Sequence, residues 1–210
     1  MVLNFKLPEE PIMPPKTEIT YDDILDTAAF AAIRKDKRRE ISAIKRNRRI
    51  EIGPVATCYF ESFETMWWQI QEMLFIEKGG DAQLADELAA YNPLIPKGQE
   101  LVCTVMFEID DEKRRRAFLG RLGGVEGTMF IRIGEMEIPG APEDDVDRTN
   151  ADGKASSVQF IHFPFTEAQI KLFRAPNAQI LIGFSHSAYG HLAVMPEEMR
   201  QALSQDFIDT

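Results

Sequence analysis

The chain has 210 residues, 44% hydrophobic and 28% charged, with a formal net charge of −10 at pH 7. This composition excludes a disordered chain, and the length suits one domain with a sizeable core. No run approaches the roughly 18–20 apolar residues that span a bilayer, and residues 1–16 lack the apolar stretch of a signal peptide, so the expectation is a cytoplasmic protein without a membrane partner.

In chain order, residues 1–19 read as an extended arm, because Pro8, Pro11, Pro14 and Pro15 forbid a helix interior. The domain is expected over 20–210. Thr20 reads as the N-cap of a first helix, with Asp22 and Asp23 in its first turn and Ile24, Ala28, Phe30, Ile33, Ile41 and Ile44 at roughly helical spacing, as far as about Arg48. Gly53-Pro54 punctuates the chain before a β-branched and aromatic strand over 55–60. Ser62 caps a second helix with Phe63, Met66, Trp67, Ile70, Met73 and Leu74 on its apolar face. A third, shorter helix is expected over 81–90, a strand over 101–109 and a charged helix over 110–122. Residues 128–133 and 135–138 flank Gly134 as a hairpin, and 139–155 form a long polar loop. Strands over 157–165 and 179–184 enclose a helix over 166–173, and Pro196 opens a last helix reaching about Phe207. Without regular βαβ alternation, this order predicts a single α+β domain, a mostly antiparallel sheet with flanking helices.

The charge is unevenly placed. Residues 34–49 hold nine basic and two acidic side chains in an otherwise acidic chain. Lys35, Arg39, Arg46 and Arg49 fall on one side of the first helix with Ser42. Nucleic-acid binding would need a basic domain with interleaved aromatics, so this face suits an acidic protein partner and not nucleic acid. It also has a bland reading as a solvated helix face.

The second helix carries Trp68 outside the apolar stripe. At helical spacing Trp68 shares a face with Glu61, Thr65, Gln69 and Glu72. An aromatic beside an amide and carboxylates can build a small-ligand pocket or a partner anchor, or simply pack under another segment. Glu61 and Glu72 lie about 16 Å apart along the helix, too far to share a metal.

Signatures of catalysis are sparse. Walker A, Gly-x-Gly-x-x-Gly and His-Glu-x-x-His sequences are absent. Gly183-Phe184-Ser185-His186-Ser187 approaches a nucleophile elbow but ends in serine where glycine is required. His162, His186 and His191 are the three histidines; brought together with a carboxylate, they would suit iron or zinc. Cys58 and Cys103 lie in apolar runs and read as buried free thiols.

Four stretches together resemble an uncharacterised bacterial family known as a domain of unknown function: residues 44–50 (IKRNRRI), 60–74 with their QIQEML ending, 91–96 (YNPLIP) and 157–165 (SVQFIHFPF). The similarity covers residues 18–207 and leaves the proline-rich arm outside. It implies an accessory protein in a cytoplasmic redox or oxidative-stress pathway, because genes of this family lie beside those for rubrerythrin-like and iron–sulfur proteins. It implies no catalytic residue or cofactor. The expectations are therefore an accessory protein that binds such a partner, a metal-binding protein or enzyme built on the histidines, or a small-molecule binder at Trp68.

Overall fold

Local capping chemistry sets where the helices begin. In a computed structural model, which describes residues 15–143, 149 and 153–208, Thr20 caps only a short 3-10 turn, Tyr21–Asp23, with Asp23 Oδ2 accepting from both its N–H and its hydroxyl at 2.9 Å. Ile24 then returns to extended backbone. The long helix α1 (Thr27–Arg46) starts later, where Asp26 accepts from the Ala28 and Ala29 amides. The expected start at Thr20 is thus corrected: a better cap lies six residues on, and a carboxylate there satisfies two orphan donors at once.

Arg49 does not extend the helix. It opens β1 (Arg49–Ile52), whose alternation buries Ile50 and Ile52 and exposes Arg49 and Glu51. Gly53, with φ +69°, turns the chain into β2 (Ala56–Phe60). A side chain there would also strike the His191 ring, which lies 2.6 Å from an added Cβ. Ser62 caps α2 (Phe63–Glu77) as expected, and Lys78 ends it in the left-handed conformation. Next come α3 (Gly80–Tyr91), β3 (Glu100–Phe107) and α4 (Glu112–Leu119).

The hairpin about Gly134 is present as β4 (Met129–Ile133) and β5 (Met136–Pro139). Within the expected loop lies a two-residue strand, β6 (Ala141–Pro142); residues 144–148 and 150–152 of that loop, and 1–14 of the arm, fall outside the described residues. The rest is β7 (Val158–Pro164), α5 (Glu167–Arg174), β8 (Ile180–His186), β9 (Tyr189–Val194) and α6 (Glu197–Leu203).

Two antiparallel sheets result, ordered β1-β2-β3-β7-β6 and β5-β4-β8-β9. The α+β class with antiparallel pairing stands. One face of the first sheet (Cys58, Phe60, Leu101, Cys103, Val105, Ile161, Phe163) shares a core with Ile131, Ile133, Ile180 and Ile182 of the second. Its opposite face carries Val102 and Phe160 into another cluster, built by α1, α2 and α3 around Phe30. This second cluster fixes α1 and α2 over the outer face of the sheet and so positions the site described next.

Both cysteines are buried and free, and burial pushes the Cys103 thiol up. Ser185 stands within β8 with its hydroxyl on the Thr128 carbonyl, and the chain continues through Ser187 and Ala188 into β9. The elbow reading fails for that reason: the segment is a hairpin, not a strand-to-helix turn. No helix among the described residues is long and apolar enough to cross a membrane.

Candidate functional site

The basic run of residues 34–49, from α1 to the start of β1, divides into internal and outward cations. Arg48 is buried and donates to the Glu61 carbonyl at 3.0 Å and to both carboxylate oxygens of Asp206. Arg34 grips Glu72 with two hydrogen bonds of 2.7 and 2.8 Å and lies over the Phe75 ring. The Arg34 guanidinium holds the Glu72 carboxyl below its ordinary range. Arg38 reaches the same carboxylate at 3.6 Å. Lys37, Arg39 and Arg49 meet Glu40, Asp36 and Glu51. The nine cations of residues 34–49 therefore meet five carboxylates, which leaves a surplus of positive charge. Among the described residues, Lys35, Lys45 and Arg46 have no ion-pair partner.

Lys45 and Arg46, though not Lys35, line a groove of about 470 Å³ between α1 and the first hairpin. Arg38, Ser42, Lys45 and Arg46 come from one side of α1, Arg49 from β1, Tyr59 from β2 and Trp68 from α2, with Ile41 among them. Arg49 stacks over the Tyr59 ring, 5.7 Å from its centroid, and the Tyr59 hydroxyl donates to Glu108. Trp68 is 8% exposed. Its ring packs on Phe30 at 5.5 Å, and its indole N–H has no acceptor among the described residues. Trp67, by contrast, donates to the Asp23 carbonyl at 2.8 Å.

The structure thus joins two features that the sequence kept apart, the basic helix face and Trp68, through Arg46 and Arg49. Lys35 and Arg39 are exposed but lie outside the groove, while Arg38 and Lys45, missed from sequence, line it. The expected face was rotated slightly because helical spacing alone does not show where α2 and the hairpin close against α1. The expected companions of Trp68 are also corrected. Glu61 is buried and accepts from the Thr65 and Thr104 hydroxyls at 2.6 and 2.7 Å. Glu72 is taken by Arg34, and neither these residues nor Gln69 line the groove. Each carboxylate turns to a nearer internal donor, since a buried charge without one is costly.

The three histidines are held by different neighbours. His162 on β7 has Nδ1 3.0 Å from Glu100 and Nε2 3.8 Å from Glu143. His186 accepts from the Ala188 amide and places Nε2 3.3 Å from the Gly123 carbonyl. His191 packs edge-on against Tyr189, beside Gly53. Among the described residues, no three His, Cys, Asp or Glu side chains are grouped to hold a metal ion. The expected convergence of His162, His186 and His191 is therefore corrected: the first lies in one sheet and the others in the second.

His162 nevertheless predicts a pH dependence. The hydrogen bond that the His162 ring donates to the Glu100 carboxylate raises its pKa, with a smaller contribution from Glu143, against burial that lowers it. Its folded value lies above the unfolded value of about 6.5. The stabilisation is fully present below the unfolded value and is lost as pH rises through the folded one. Urea midpoints are expected to fall as pH rises across that window in the natural protein and to stay flat in His162→Gln. An equal slope in both would remove His162 as the cause.

The family described as "Protein of unknown function (DUF3501)" matches residues 18–207. A solved structure, described as a novel protein of unknown function from Burkholderia pseudomallei K96243, is 33% identical, with a TM-score of 0.83 over 90% of this chain and 99% of that one. No curated protein matches the chain.

Proposed function

The chain belongs to the DUF3501 family, and we propose that it acts as an accessory protein that binds an acidic protein partner through the groove between α1 and the β1–β2 hairpin. The observation that carries this reading is the surplus of cations around a recess lined by Trp68 and Tyr59, on a chain whose net charge is −10. A protein this acidic repels acidic surfaces at long range, so a local basic site selects where such a surface can land. Aromatic and arginine side chains at the centre of a patch supply most of the energy of typical interfaces. The motif resemblance implies a partner among rubrerythrin-like or iron–sulfur proteins in a cytoplasmic redox or oxidative-stress pathway.

The test uses purified candidates of those two classes from the native host, with affinity measured against salt. The double variant Arg46→Glu, Arg49→Glu is expected to lose at least tenfold in affinity and to flatten the salt dependence, while Lys171→Glu, an exposed cation on α5, leaves both unchanged. Unaltered affinity and salt slope in the double variant would refute the reading.

A further inference from the structure

We propose that the partner enters this groove as an extended acidic segment with carboxylates at positions i and i+4 and an aromatic side chain at i+2. This rests on the partner-binding reading above and specifies the chemistry that the groove accepts.

The spacing of the cations carries the argument. Arg38 and Arg46 lie eight residues apart on α1, about 12 Å along the axis at the helical rise. One phosphate or carboxylate cannot bridge that span. In an extended chain, side chains at i and i+4 point the same way about 13 Å apart, which matches it. Between the two arginines stands Ser42, four residues from each, small and uncharged. The α1 wall of the groove therefore carries no charge midway between the two arginines, while Ile41, Tyr59 and Trp68 give the recess an apolar and aromatic lining, with Arg49 over the Tyr59 ring. A side chain at i+2 lies on the same side as its flanking carboxylates, so an aromatic there reaches the recess. The indole N–H of Trp68, without an acceptor among the described residues, is available to a backbone carbonyl of the incoming segment. Lys45, also without an ion-pair partner among the described residues, adds a further cation beside Arg46.

Two fluorescein-labelled peptides of one composition test this: Gly-Glu-Ser-Phe-Ser-Glu-Gly, and Gly-Glu-Phe-Ser-Ser-Glu-Gly, which turns the aromatic to the opposite side. Fluorescence anisotropy with the full chain is expected to show at least tenfold tighter binding of the first. Arg46→Glu is expected to weaken both peptides at least tenfold. Trp68→Ala is expected to erase the preference; because Trp68 packs on Phe30, Trp68→Phe serves as the variant that keeps the fold, with the preference reduced at least threefold. Equal affinity for the two peptides would overturn the inference, as would displacement by inorganic pyrophosphate at concentrations equal to the peptide's, which would make the groove a small-anion site. Failure of the partner-binding reading looks different: purified partners would then bind the Arg46→Glu, Arg49→Glu variant unchanged, whatever the peptides do.

Discussion

Arg48→Ala is expected to remove about 3–5 kcal/mol of stability, the usual cost of breaking a buried ion pair from one side. Both side chains of the Arg48–Asp206 pair are 8% exposed. Burial pushes the Asp206 carboxyl up even with Arg48 beside it; without the guanidinium, a carboxylate would remain buried among groups that cannot compensate it. The same substitution also strips the Glu61 carbonyl of its donor. The pair joins the start of β1 to the 3-10 turn Ser204–Asp206, 158 residues later in the chain, so the C-terminal turn should loosen as well. Arg48→Met combined with Asp206→Leu is expected to recover most of the loss, because apolar replacements of similar volume leave no orphan charge. Urea denaturation of the two variants measures both effects. A loss below about 1 kcal/mol in Arg48→Ala, the range of solvated pairs, would show that water reaches the site.

Phe30→Ala should cost a comparable amount, about 3–5 kcal/mol. Phe30 is fully buried and its ring centroid lies 6.1 Å from Trp67, 5.5 Å from Trp68 and 5.7 Å from Phe75. It is the aromatic by which α1 holds α2, and its loss opens a cavity against three rings. Tryptophan emission is expected to shift to the red as both indoles gain water. Phe30→Leu keeps most of the volume and should lose clearly less than Phe30→Ala. A small loss with unshifted emission in Phe30→Ala would mean that α1 is held chiefly by its ion pairs, above all Arg34–Glu72.

These residues also show what the sequence could and could not disclose. The apolar stripe of α2 and its Ser62 cap were legible because periodicity and capping act within a few residues. Of the three strands missed, the two-residue β6 is too short to show an alternation, and β1 and β9 were hidden for different reasons. Ile50 and Ile52 alternate over only four residues directly behind a basic helix end, so the charge run masked the change of period. Leu192 and Val194 of β9 are more than half exposed, which makes that strand read as a loop around His186 and His191. The charge count of residues 34–49 was correct as arithmetic, yet Arg34 and Arg48 spend their charge on Glu72 and Asp206, partners 38 and 158 residues away. Long-range pairing of this kind leaves no local trace. Trp68, which helical spacing sets apart from the apolar stripe, in fact joins Trp67 in the same buried cluster and packs on Phe30; its groove neighbours come from α1, β1 and β2, and spacing within α2 could point only to Glu61, Thr65, Gln69 and Glu72.

Hydrogen exchange on the complex with a purified partner tests the central claim most directly. The account predicts that protection on binding concentrates in residues 38–49, with smaller changes around Tyr59 and Trp68, and that Arg46→Glu, Arg49→Glu abolishes it. Protection confined to the outer face of β8 and β9, with residues 38–49 unchanged, would contradict it.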